Sequence, residues 1–261
     1  MRSLSIAATG MLAQQLNVEV ISNNIANMNT SGFRRQRAEF QDLLYQNLRR
    51  SGSQSSDTGT VVPSGVEVGT GVKTAAVYRI AEQGNLRSTD NTYDLAIQGK
   101  GFFRVTLPSG EEAYTRAGSF QVSAQGQLVT ADGFIVAPGI TIPADTIDVS
   151  INNNGEVAAK VDGTVDPTVV GQLELVLFFN DAGLESKGGN LFMETPASGT
   201  ATPGVPGSPG YGSILQGFLE TSNVNAVSEI TSLITAQRAY EMNSRVITAS
   251  DEMLRTMANL R

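Results

Sequence analysis

The side chains best suited to chemistry in this sequence are carboxylates: Glu111-Glu112 side by side, and Asp90 close to Asp94. A carboxylate pair can act as acid and base on a glycosidic bond, but only at a separation of about 5–9 Å across the substrate. Adjacency in sequence does not set that separation, and exposed loop charges are the stronger reading of both pairs. Histidine and cysteine are absent. With them go the usual general base, the commonest metal ligand, the thiolate nucleophile and any disulfide framework. No catalytic, metal-ligating or cofactor-binding residue is assigned. Gly69-Thr70-Gly71 and Gly99-Lys100-Gly101 match neither a dinucleotide fingerprint nor a phosphate-binding loop, and no βαβ pattern surrounds them. They read as bends between strands.

Charge points the same way. The chain of 261 residues has a net charge of −7, yet residues 1–50 hold six Arg and three acids. Arg34, Arg35 and Arg37 are the sole basic cluster, read here as a solvated or subunit-facing group; nucleic acid, which needs a concentrated basic face, is not expected as a partner. No apolar run approaches the ~20 residues that span a bilayer, so no membrane insertion is expected. The stretch Leu4–Ala13 is diluted by Ser5, Thr9 and Gly10 and its pattern runs on past Ala13, so it reads as mature chain rather than a cleaved signal.

The elements that would position such residues fall into three kinds. Over residues 3–28, Leu4, Met11, Val18 and Ile25 recur every seven residues, with Ala7, Ile21 and Met28 between them and Gln14 as the polar exception. Thr30-Ser31-Gly32 ends that helix. Over 226–259, Leu233, Tyr240, Ile247 and Leu254 recur at seven, flanked by Ile230, Ile234 and Met257, with Gln237, Ser244 and Asp251 expected at the alternate seam positions. Asn223 or Asn225 is placed to cap its start. Between the helices lie short alternating runs (Leu95–Gln98, Phe102–Leu107, Ala113–Arg116, Phe120–Val122, Gln127–Thr130, Phe134–Val136, Ile147–Ile151, Gln172–Phe179) separated by tips such as Pro108-Ser109-Gly110 and Asn153-Asn154-Gly155. The expectation is an α+β chain: a discontinuous, coiled-coil-like helical domain from residues 1–30 plus 226–261, an extended connecting region from 31–71 plus 196–225, and an antiparallel β domain over 72–195.

An isolated helix is marginal in water, and backbone ordering costs roughly 1–2 kcal/mol per residue. About a dozen stripe residues at ~1.5–3 kcal/mol each do not balance two such helices unless they are fully buried. Seams that alternate apolar and polar residues therefore predict helices completed by several neighbours, ordering on assembly.

At this point particular residues carry a resemblance. Asn23-Asn24-Ile25-Ala26-Asn27 followed by Thr30-Ser31-Gly32-Phe33-Arg34 is similar to the N-terminal signature of flagellar rod and hook proteins. Ser222-Asn223-Val224-Asn225, with Ala236-Gln237-Arg238-Ala239-Tyr240-Glu241, resembles their C-terminal signature. The runs Leu95–Phe103 and Tyr114–Phe120 look like their shared β-domain core. The block Ala38–Gln46, with Gln54-Ser55-Ser56, Pro63-Ser64-Gly65 and Gly69–Val72, is similar to the distal-rod branch, with the proximal-rod branch as runner-up.

The resemblance implies a structural subunit of the basal body, exported through the flagellar type III apparatus without a cleaved signal and crossing the periplasm as part of a straight hollow shaft. It implies a helical homo-oligomer that meets proximal rod and hook proteins at its ends and turns within ring bushing proteins; no cofactor is implied. In such a shaft, Leu4, Met11, Val18, Ile21, Ile25, Ile230, Leu233, Tyr240, Ile247 and Leu254 would pack between subunits. Asn23, Asn24 and Asn27 would hydrogen-bond between helices or cap locally, and a segment containing Leu44, Tyr45, Gln46, Pro63 and Gly65 would confer rigidity. The rival readings are a carboxylate-based glycan hydrolase and a secreted binding module built on the β domain.

Overall fold

The computed structural model describes residues 2–52, 63–164 and 166–259. Gln54-Ser55-Ser56 lies outside the described residues. The architecture is α+β, with one helix at each end of the chain and antiparallel strands inserted between them. The chain divides into two compact units, one of residues 1–26, 36–78 and 225–261, the other of residues 27–35 and 79–224.

The first unit holds helix α1 (Arg2–Ala26) and helix α2 (Ala226–Asn259) with four strands: β1 (Gln36–Asp42), β2 (Tyr45–Arg49), β3 (Val66–Gly69) and β4 (Val72–Arg79). Strand β1 pairs with β4 and packs against α1, and β2 pairs with β3 as an antiparallel hairpin. Asn225 caps α2: its side-chain oxygen accepts from the backbone N–H groups of Val227 and Ser228 at 3.1 and 3.2 Å.

The second unit is all antiparallel. Its largest sheet has nine strands centred on Phe102–Thr106, Glu112–Thr115 and Leu175–Leu177, and a three-stranded sheet runs through Thr146–Ile151, Glu156–Val161 and Thr168–Gln172. Leu95, Ile97, Phe103, Val105, Phe120, Leu175 and Ile214 are fully buried in its main core. The glycines of the two tips named from sequence (110 and 155), and those at 126 and 133, all have φ near +80° to +85°, the left-handed conformation for which Gly carries no Cβ penalty.

Strands also occupy the segments read from sequence as extended connections. β1, β2 and β3 lie within residues 31–71, and Thr202–Gly204, Ser213–Gln216 and Phe218–Glu220 within 196–225. The first three group with the helices and the last three with the β unit. Ile214, buried completely, shows that one of these strands belongs to the main core.

Candidate assembly interface

The two helices run antiparallel and meet along a line of small and polar residues. Ser3 contacts Ser250 (Oγ to Oγ 3.2 Å), Gly10 faces Asn243, and the Asn24 amide donates to Glu229 (3.2 Å). These contacts step by seven residues along α1 and by seven, reversed, along α2, and the same register sets Asn17 opposite Ala236. At Gly10 a Cβ would stand 2.8 Å from the Asn243 amide nitrogen, so the helices approach closely there.

This seam lies beside the apolar repeats read from the sequence. In α1 the contact line lies one residue earlier than Leu4, Met11, Val18 and Ile25, all of which are half-buried flanking positions; Ile21 is buried, as are Ala7, Ala13 and Val20. In α2, Leu233 and Ile247 are half-buried and Tyr240 and Leu254 more exposed, but their alternate partners are Ala236, Asn243 and Ser250. Gln237, Ser244 and Asp251 are exposed, as is Arg238. The repeat with the most apolar volume drew the expectation; close approach favours the repeat with the least.

The consequence is an outward stripe of large apolar side chains on α2. Ile230, Ile234, Met242, Val246, Met253 and Met257 are exposed, Met242 by 61% and Met257 by 65%. Ile230, Ile234, Met242 and Val246 fall on one i±4 ridge of the helix, and Met253 and Met257 on the row beside it. The β2–β3 hairpin adds a second apolar surface, with Leu44 exposed by 88% beside Tyr45, Leu48 and Val66. Gln46 and Pro63 are exposed too, while a Cβ on Gly65 would meet the backbone of Arg49 and Ser51 at 2.6 and 2.7 Å.

The signature asparagines do different jobs. Asn24, buried to 1%, both accepts from the Gln36 N–H and donates to the Gln36 carbonyl at 2.8 Å, besides holding Glu229. One amide thus ties the end of α1 to the start of β1 and the first turns of α2. Asn27 bonds locally to Thr30, and Asn23 is exposed on α1. Asn24→Ala leaves the Gln36 backbone groups without these partners, and an unmet buried donor or acceptor costs about 1–3 kcal/mol. Urea unfolding should show a loss of roughly 2–4 kcal/mol for the helical unit.

In the β unit, Asn223 accepts from the Arg35 N–H at 2.7 Å and donates to the carbonyls of Ile80 and Glu82, stitching three segments together. Gly32 has φ +70°, and a Cβ there would sit 2.6 Å from the Ala117 nitrogen. Phe33 is half-buried beside it, its carbonyl accepting from the Asn223 N–H. Arg34 is not a solvated or subunit-facing charge. It is buried against Glu220 at 2.9 Å, and Arg116 binds the other oxygen of the same carboxylate at 2.9 Å. Glu220 also accepts from the Gly84 N–H. Burial pulls Arg116 down to about 10 against the pull of Glu220. Sequence reading missed Glu220 entirely; a single Glu ending a strand carries no local sign of burial.

Three of the four carboxylates first considered for catalysis are engaged structurally, and Asp90 is exposed. Glu112 pairs with Arg104 at 2.9 Å, Glu111 with Lys187 at 3.4 Å, and Asp94 is buried and accepts from Asn91. Among the described residues no group of three or more His, Cys, Asp or Glu could hold a metal ion, and no described helix is long and apolar enough to cross a membrane.

Comparison with known proteins gives three family matches in chain order: residues 4–34 match the flagella basal body rod protein family, 96–159 the flagellar hook protein FlgE/F/G D1 domain, and 215–260 the flagellar basal body rod FlgEFG protein C-terminal family. The flagellar basal-body rod protein FlgG of Caulobacter vibrioides is 62% identical over the full length of both chains. FlgG of Agrobacterium fabrum is 54% identical over 97% of each, and that of Bacillus subtilis 39% identical over 100% of this chain and 99% of its own. The signatures at both ends, the β core between them and full-length identity converge: the chain belongs to the FlgG family of flagellar basal-body rod proteins.

Proposed function

We propose that this chain is a structural, non-enzymatic subunit of the flagellar basal body that polymerises into the distal rod, a straight hollow shaft that transmits torque and lines the export channel. The observation that carries the reading is the outward apolar stripe of α2. A helix whose small residues face its partner and whose Ile, Val and Met face out has its larger hydrophobic face available to other subunits. Heterologous contacts repeated by a helical operator do not close, and so build a filament from one chain.

In this reading Ile230, Tyr240 and Leu254, with the half-buried Leu4, Met11, Val18 and Ile25, pack between copies together with Met242, Val246, Met253 and Met257. Leu233, Ile247 and Ile21 support the private helix pair. The β2–β3 hairpin, with Leu44, Tyr45 and Gln46 on one side and Pro63 and Gly65 on the other, wedges against a neighbour and resists the sliding that would let a shaft bend. Proximal rod and hook proteins adjoin its ends, ring proteins surround it, and the type III apparatus delivers it.

Electron microscopy of the purified protein, with and without ring components, tests this. Straight tubular polymer is expected. A stable monomer that binds glycan, or that turns over peptidoglycan, would overturn it in favour of a binding module or an enzyme.

A further inference from the structure

The turn Gly99-Lys100-Gly101, which fits no nucleotide motif, wraps a guanidinium in the β unit. The carbonyls of Gly99 and Gly101 accept from Arg116 at 3.0 and 2.6 Å. Beside it lies a cavity of about 50 Å³, bordered by Arg34, Arg79, Lys100, Arg116 and Asp181 and walled by Phe102, Leu184 and Phe192.

Its charge is unbalanced. Arg34 and Arg116 share one carboxylate, that of Glu220. Arg79 lies 4.7 Å over the Phe192 ring and donates to Ser186 Oγ at 2.5 Å and to the Leu184 carbonyl, both neutral acceptors. Lys100 adds a fourth cation. Against four positive groups stand Glu220 and Asp181, an excess of two in a chain whose net charge is −7. Burial lowers Arg79 and raises Asp181, so the cavity wall is desolvated as well as cationic. Partly buried cations attract an anion far more strongly than solvated ones.

We propose that this cavity is a receptor for one compact carboxylate, held by Arg79 and Lys100 beside the charge of Arg116, whose own donors are taken by Glu220, Gly99 and Gly101, with its alkyl stem against Phe192 and Leu184. The size selects it: by this measure the space holds about four waters, the bulk of a carboxylate and one methylene. The aromatic and leucine walls match an alkyl stem, which a phosphate or halide lacks. The carboxylate arrives either on an acidic side chain of a second copy, which rests on the assembly reading above, or as a free small carboxylate ion.

The guanidinium Nε resonances of Arg79 and Arg116 in the full-length monomer, titrated with acetate at constant ionic strength, report binding directly. Saturable shifts are expected that sodium chloride does not reproduce. Lys100→Gln should weaken acetate binding roughly three- to tenfold by removing one charge. Asp181→Asn should tighten it by a similar factor, a gain that a merely structural aspartate would not produce. Absence of saturable shifts, equal displacement by chloride, or an Asp181→Asn variant no tighter than wild type would each overturn the proposal. Polymerisation separates the sources. If a neighbour's side chain fills the cavity, saturating acetate slows elongation of wild type; if elongation is unaffected, the ligand is a free ion. Failure to polymerise at all would sink the rod reading while leaving the monomer titration intact.

Discussion

Replacing Glu220 by glutamine is expected to remove about 3–5 kcal/mol from the stability of the β unit, the range found when one partner of a buried ion pair is deleted. The carboxylate sits between Arg34 and Arg116, and all three side chains are almost wholly buried. Glutamine can still accept from the Gly84 N–H, but its NH2 then faces the Arg116 donors that Oε2 had accepted, so the loss combines the charge with those hydrogen bonds. Two guanidinium ions would then remain in a low-dielectric interior without a directly paired carboxylate, Asp181 being the one acid left beside them. Against a typical total of 5–15 kcal/mol, that is a large fraction. Urea unfolding followed by near-ultraviolet circular dichroism gives the number. A companion carrying Glu220→Gln with Arg34→Met should recover part of the loss, because one stranded cation is removed. A single-variant loss below about 1 kcal/mol would mean that water already screens the cluster.

The second large effect concerns assembly and leaves the monomer nearly untouched. Val246→Glu places a carboxylate on the outward stripe of α2, where the valine is 46% exposed. Exposed helix positions away from special contacts usually change stability by within ±0.5 kcal/mol. Buried between subunits, the same unpaired charge costs several kcal/mol, and the penalty recurs at every subunit of the shaft. Polymer should vanish in sedimentation and electron microscopy, and cells carrying the variant should be non-motile, while monomer unfolding stays at the wild-type midpoint. Polymer of normal length would remove the α2 stripe from the interface.

Much of the architecture is legible in the sequence because its signals are local. Heptad recurrence marks both helices, Asn225 caps the second, and turn glycines at 110, 126, 133 and 155 delimit hairpins. Leu95–Gln98 and Phe120–Val122 emerge as strands with the expected bounds. Other strands are harder to see. Gln36–Asp42 and Tyr45–Arg49 are rich in polar residues, and their pairing partners lie about 20 to 40 residues away, so no short-range alternation or tip announces them. The private seam of the helix pair, one residue away from the apolar repeat, is hidden in the sequence for a different reason. A 3.6-residue period lets steps of three and four serve equally, and hydrophobicity alone cannot tell that Ser, Gly and Asn face inward. The Arg34–Glu220–Arg116 cluster joins positions separated by up to 186 residues, and nothing near any of them in sequence signals the meeting.

The narrow line where Ser3, Gly10 and Asn24 meet Ser250, Asn243 and Glu229 also bears on the thermodynamics of growth. Since little apolar area is hidden within the pair, most of it must leave water when one subunit joins the next. Elongation should then carry a large negative heat-capacity change, the mark of apolar burial. Its enthalpy would grow more exothermic with each degree, and because apolar burial weakens on cooling, chilled polymer should shed subunits from its ends. The shaft's cohesion would belong to the lattice rather than to any single molecule within it.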